Sequence, residues 1–326
     1  MAQYVTTVCG PVSADQLGRT LVHEHILFGF PGCQGDLTCA PRVGRKAAVD
    51  KTVAKLKRFR EAYGLGTIID ATPNDCGRDP EFLRDVAKES GVHILCSSGY
   101  YYEGEGATAY YRFRALLGNA EEEIYTMMKA EVTEGIGGTG IKAGVFKVAS
   151  SKNVITEYEK RFFKAAARVS GETGTPIITH TQEGTMGLEQ AELLIANGAS
   201  PGKIMIGHID GSTDLRCHLE ILAKGVSLGF DRFGLEGYTG SPTDTVRVAC
   251  IIALVKSGYG SQIMVSHDSI YNWIGKPLDV TSPTHSEIIF RDVVPAFKKA
   301  GLAEAEIDQL LIENPKRFLA SGSVAR

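Results

Sequence analysis

The sequence predicts a closed (β/α)8 barrel with one additional C-terminal helix, and three observations lead there. Eight short runs rich in Ile and Val alternate with amphipathic stretches, the rhythm of repeated strand–helix units. The runs are apolar throughout and do not alternate in polarity, as expected of parallel strands covered on both faces. Several of them deliver polar residues to their carboxyl ends, and in this architecture chemistry gathers at the C-terminal mouth. A doubly wound open sheet is the alternative built from the same alternation.

The predicted strands are 20–25, 67–70, 93–97, 144–148, 176–180, 204–208, 226–231 and 262–268. Helices fall between them. Residues 47–63 repeat apolar side chains at helical spacing with Lys and Arg on the opposite face. Asp79 followed by Pro80 reads as a cap and first helical residue, opening a helix through Val86 and Ala87. Helices over 121–134, 156–173, 188–196, 214–224, 244–257 and 286–299 follow, and 304–318 is the extra C-terminal one.

Composition sets the outer bounds. With 326 residues, 43% hydrophobic and 22% charged, the chain is ordinary globular material, and barrels routinely exceed ~250 residues as one domain. A single domain over 1–326 is expected. The net charge of −3 gives no electrostatic case for nucleic acid or an anionic membrane. Residues 1–7 carry no secretory signal, and no apolar run approaches the ~18 residues of a membrane span. Seven scattered cysteines (Cys9, Cys33, Cys39, Cys76, Cys96, Cys217, Cys250), none in a Cys-x-x-Cys pair, read as free thiols in a reducing cytoplasm.

The chemistry-bearing residues concentrate at strand ends. His23 and His25 close the first run, and residues i and i+2 of a strand project to one side. His180 and His208 close the fifth and sixth runs. One histidine after an apolar run is ordinarily a hydrogen-bonded core residue. Four of the eight histidines at equivalent strand ends instead form a set suited to zinc, iron, cobalt or manganese. Asp268 ends the last run, where it can bind a metal and exchange a proton with water; its ordinary role would be a helix cap. The neighbouring His267 is expected to point away.

Lys147 lies mid-strand in Ala143-Gly144-Val145-Phe146-Lys147-Val148-Ala149, more deeply embedded than Lys142. Its ordinary reading is an amine snorkelling to the mouth or pairing with an acid. A desolvated lysine presents a neutral amine that can add CO2. The resulting carbamate is a bidentate anion able to bridge two cations ~3.5–4 Å apart around one activated water. Gly138-Thr139-Gly140 precedes a strand instead of following one, which excludes a dinucleotide fingerprint, and no Gly-x-Ser-x-Gly elbow occurs.

The set His23-x-His25, Lys147, His180, His208 and Asp268 resembles the amidohydrolase superfamily, specifically its phosphotriesterase family. The likeness spans the chain from Gly10-Pro11-Val12 to Asn314-Pro315-Lys316-Arg317-Phe318. Residues 73–79, 99–106, 179–187 and 231–234 are similar to the bacterial phosphotriesterase-like lactonases, which act on simple and N-acyl homoserine lactones. The resemblance implies that His23, His25 and Asp268 hold a buried metal, His180 and His208 a more exposed one, and carboxylated Lys147 bridges both. It also implies that Tyr101 lies against water and substrate, with Arg232 and Trp273 lining the pocket, and that the protein is a homodimer. Tyr100 and Tyr102 are the alternatives for the tyrosine. Dedicated organophosphate hydrolases carry Asn-Asp where this chain has His267-Asp268, and lack the tyrosine and the Asp231-Arg232 pair. Lactone hydrolysis with weak phosphotriesterase activity is therefore expected. Triester, other ester or amide hydrolysis, or a non-catalytic metal-containing barrel, are the competing readings. The seventh and eighth loops, 233–243 and 269–285, are expected to set ring size and acyl length.

Overall fold

The computed structural model describes residues 3–35, 44–237, 241–277 and 285–320. Cys39, and the parts of the seventh and eighth loops at 238–240 and 278–284, lie outside those residues. An antiparallel hairpin, β1 (Tyr4–Thr7) and β2 (Gly10–Ser13), comes first. Eight parallel strands follow: β3 (Arg19–Glu24), β4 (Leu65–Asp70), β5 (His93–Gly99), β6 (Val145–Ser150), β7 (Ile177–Thr181), β8 (Ile204–Ile206), β9 (Ser227–Phe230) and β10 (Ile263–Val265). They pair in sequence order. The ring closes where Asp268 N–H donates to the His23 carbonyl at 3.0 Å and His25 N–H donates to the Ser269 carbonyl at 2.9 Å. The fold is the expected (β/α)8 barrel.

Two apolar layers hold it together. Val22, Ile69, Leu95, Val145, Ile178, Met205 and Met264 fill the barrel interior with Val5, Leu17 and Phe318. The outer faces of the strands pack under α1 (Arg45–Tyr63), α2 (Pro80–Ser90), α3 (Thr108–Leu117), α4 (Ala120–Thr133), α5 (Glu157–Thr173), α6 (Gly187–Ala196), α7 (Leu215–Leu222), α8 (Asp244–Leu254) and α9 (Val294–Lys299). The extra C-terminal helix is broken into α10 (Glu304–Asp308), a π-helical turn (Gln309–Glu313) and α11 (Asn314–Leu319). The cap read from the sequence is present, with Asp79 accepting from Phe82 N–H at 2.8 Å and Pro80 behind it, and Thr156 forms a capping box with Glu159 that was not expected. Glu159 also accepts from Ser151 N–H and Glu103 N–H, each at 3.0 Å, tying the loops after β5 and β6 together at the mouth.

Several boundaries differ from expectation. Strands predicted to run to His208 and Asp268 stop at Ile206 and Val265, and both residues adopt left-handed backbone with φ of 57°. Such backbone costs a non-glycine residue about 1–3 kcal/mol, and here it turns the chain so that both side chains enter the mouth. The segment predicted as one helix over 286–299 is a 3-10 turn (His285–Glu287) and a π-helical turn (Ile289–Val293) before α9, and 244–257 leaves α-geometry after Leu254. The hairpin β1–β2 and helix α3 were not expected. Helix α3 has no side-chain cap and no polar face; of its apolar residues only Tyr111 is buried, whereas Leu116 and Leu117 are 82% and 71% exposed. Among the described residues six cysteines are free, and no helix is long and apolar enough to cross a membrane.

Gly99 shows how tightly the mouth is built. It pairs with Lys147 at φ of 146°, and a Cβ there would lie 1.7 Å from the Lys147 carbonyl oxygen. Gly99→Ala is expected to destabilise the protein by at least ~1–3 kcal/mol in denaturant melts, because the contact is backbone and cannot swing aside.

Candidate metal centre

Six side chains from five strand ends meet in the mouth. His23 and His25 come from the end of β3, Lys147 from β6, His180 from β7, His208 from just past β8, and Asp268 from just past β10. Lys147 Nζ is 2.5 Å from His23 Nε2, and His25 Nε2 is 3.0 Å from Asp268 Oδ1. His23 Nε2 and His208 Nε2 each lie 3.6 Å from Asp268, one on either oxygen. The His23 and His208 rings stack at 4.5 Å, and His180 meets His208 edge-on at 4.6 Å. The ligand atoms of His23, His208 and Asp268 all fall within 4.8 Å of one another.

The rings are oriented from behind. Asp231, fully buried at the end of β9, accepts from His23 Nδ1–H at 2.7 Å and from His208 Nδ1–H at 2.8 Å, and also from His208 N–H at 2.7 Å. An ionised carboxylate only accepts, so both rings carry their proton on Nδ1 and turn the Nε2 lone pair inward. His25 Nδ1–H is bound by Thr72 Oγ1 at 2.9 Å, whose own proton goes to the Leu27 carbonyl. His180 is reversed: its Nε2–H donates to Gln182 Oε1 at 2.8 Å, leaving Nδ1 free. Glu24, between the two β3 histidines, faces the opposite way and accepts from His267 Nδ1–H at 2.9 Å. His267 thus points out of the mouth, as expected.

Burial sets the charge states. It pushes His23 and His180 below the ordinary imidazole range and His208 down to about 3, so these rings are neutral ligands at pH 7. Burial likewise lowers Lys147 to about 8 against the pull of Asp268 and Asp231. For Asp268 burial opposes charge, but His208, His25 and His23 outweigh it and hold the carboxyl well below its usual range. Asp231 follows the same logic, with burial outweighed by His208 and His23.

The donor set fits divalent cations. With the His25 proton on Nδ1, His25 Nε2 and Asp268 Oδ1 face each other as acceptors 3.0 Å apart, an arrangement a bound cation would satisfy. Imidazole and carboxylate donors of this kind suit Zn, Fe, Co or Mn.

Around this cluster the remaining expected residues take distinct places. Tyr101 meets the His180 ring edge-on at 5.1 Å, and burial chiefly keeps its phenol protonated. Tyr102 also reaches His180, stacking at 5.3 Å, whereas Tyr100 packs outward on Tyr111 and Phe162. Arg232 Nε donates to Asp268 Oδ2 at 3.2 Å. Trp273 joins Phe28 and Phe30 in an aromatic wall that reaches Tyr101 through Phe30. The sequence reading did not assign Asp231, Thr72, Gln182, Phe28 or Phe30. Asp231 was findable, since it ends a predicted strand in the same position as the histidines.

The chain matches the model of the Phosphotriesterase family over residues 3–319. It is similar to an organophosphorus hydrolase from Deinococcus radiodurans, with 50% identity, TM-score 0.94 and coverage of 98% of this chain and 97% of the other. A mutant PTE-like lactonase from the same organism matches at 49% identity and TM-score 0.93, covering 97% and 99%. An aryldialkylphosphatase of Saccharolobus solfataricus is 32% identical over 317 residues, 95% of this chain and 97% of that protein. An N-acetyltaurine hydrolase of Salmo salar is 31% identical over 349 residues, 97% of each. With a family match over nearly its whole length and a site of this composition, the chain belongs to the phosphotriesterase family.

Proposed function

We propose that this metal-dependent hydrolase opens lactone rings, N-acyl homoserine lactones and simple γ/δ-lactones, with weak activity on phosphotriesters. The observation that carries the reading is the pairing at the mouth of Tyr101, against His180, with Arg232, on Asp268. A neutral phenol and a guanidinium flanking the centre offer donors to a planar ester and its leaving oxygen. The likeness to a PTE-like lactonase, and to a structure described as organophosphate activity engineered from a weak promiscuous lactonase template, supports it.

In this reading His23, His25 and Asp268 would hold one cation, His180 and His208 would hold the second, and Lys147, carboxylated, would serve as a ligand to both. Asp268 alone contributes one negative charge to the cluster, and carboxylation of Lys147 adds a second. When bound, the cation pair supplies Lewis acidity and a water acidified to near neutrality. Asp268 accepts the proton of the attacking water and returns it to the alkoxide as the ring C–O bond breaks. Arg232 keeps that carboxylate ionised and oriented, and Tyr101 donates to a substrate oxygen. The wall of Phe28, Phe30 and Trp273 takes the acyl chain and excludes water.

A second copy of the chain is the proposed partner, seated on the exposed apolar face of α3, and a reducing cytoplasm is consistent with the free thiols. Two-fold pairing is the commonest closed arrangement for such a face. Leu116→Glu with Leu117→Glu should shift the protein from dimer to monomer in light scattering; an unchanged mass would place the interface elsewhere.

The functional test is a lactone series run on metal-reconstituted protein beside a phosphotriester and an N-acyl amide. Lactones should be the best substrates, and Asp268→Asn should lose ~10²–10⁴-fold in kcat. Equal, slow turnover by both proteins would contradict the assignment. Lys147→Ala should lose metal, with partial rescue by short carboxylic acids. For the wild type, metal uptake at fixed bicarbonate should rise as pH rises through about 8, because the neutral amine is the form that adds CO2. Asp231→Asn should weaken metal binding ~10–100-fold in competition titrations while the circular dichroism is retained.

A further inference from the structure

We infer that Arg247, which lies outside the pocket, is the positioning residue that sets Arg232 over the reacting carboxylate. Arg247 sits in the first turn of α8 and is 1% exposed, among the largest fully buried side chains in the molecule. A guanidinium is always charged, so its burial is tolerated only where acceptors surround it. Three surround it here. Nε lies 2.9 Å from Asp210 Oδ2, an ion pair whose N–H is not aimed at the oxygen. Nη1 donates to Asp244 Oδ1 at 2.6 Å, and Nη2 donates to the Leu235 carbonyl at 3.4 Å.

Each of these acceptors holds the start of the seventh loop. Asp210 Oδ2 also accepts from Arg232 N–H at 3.1 Å. The Asp244 carboxylate accepts from Gly234 N–H at 2.9 and 3.1 Å. Leu235 N–H closes a turn onto the Arg232 carbonyl at 3.1 Å. One buried cation therefore fixes the backbone of residues 232–235 from three sides and joins it to the segment carrying His208. The side chain leaving that backbone is Arg232, which reaches Asp268 Oδ2 at 3.2 Å. No other cation pairs with Asp210 or Asp244 among the described residues. Removing the Arg247 head leaves two carboxylates facing inward, and the loop loses its common anchor.

The inference rests on the placement of Arg232 at the substrate in the proposed function. Its test has one readout independent of turnover. In Arg247→Gln, amide hydrogen exchange at Arg232 and Gly234 should be about tenfold faster, with β9 unchanged. The second readout is a double-mutant cycle on kcat/KM with metal content matched. Arg247→Gln should cost about tenfold or more in the otherwise wild-type protein and less than about twofold once Arg232→Ala is present. Unchanged exchange, an equal loss in both backgrounds, or a loss that tracks metal content would overturn the inference. If Arg247→Gln does not fold, Asp244→Ala cuts the tie to Gly234 and is read by the same two measurements. The cycle uses whichever lactone, phosphotriester or amide the wild type hydrolyses. A protein that hydrolyses only triesters thus contradicts the proposed substrate and leaves the cycle decisive.

Discussion

Asp231 is the constraint on which the centre depends. Its two oxygens take the Nδ1 protons of His23 and His208, residues 185 positions apart that stack at 4.5 Å. With the protons pinned outward, two inward lone pairs converge on Asp268, and the mouth becomes a place where acceptors outnumber donors. Burial then leaves these imidazoles neutral and lowers the Lys147 amine to about 8.

The barrel positions these groups through strand register and through strain. On β6 and β7 the period of two puts Val145 below Lys147 and Ile178 below His180, with the apolar member of each pair in the interior core. At His208 and Asp268 the chain leaves the strand and adopts left-handed backbone, which the hydrogen bonds to Asp231 and to the His23 carbonyl hold in place. Strain of this kind concentrates where a side chain must be aimed, and here it turns the His208 ring and the Asp268 carboxylate into the mouth.

Much of this was legible in the sequence because buried parallel strands announce themselves as short apolar runs. The eight runs, the capped helix at Asp79, and the polar residues at the strand ends all follow from local pattern. What local pattern does not carry is which nitrogen of a ring is free. That depends on partners distant in sequence, such as Thr72 for His25 and Asp231 for His23. The hairpin at Tyr4–Ser13 has mixed polarity because it covers only the barrel foot, and α3 lacks the polar face by which helices are read. The turns at His208 and Asp268 were read as strand because their residues continue an apolar run, and only three-dimensional context reverses φ there.

Relatives of this chain are named for triester, lactone and amide chemistry, and substrates of all three kinds present a polarisable oxygen and a leaving group. In this chain Tyr101, Arg232 and the wall of Phe28, Phe30 and Trp273 surround the cluster. The most direct measurement of the central claim is anomalous diffraction from crystals grown with a single divalent metal and bicarbonate. The account predicts two anomalous peaks, one among His23, His25 and Asp268 and one between His180 and His208, with density extending beyond Lys147 Nζ to both. A single peak, or two peaks with Lys147 ending at its amine, would contradict it.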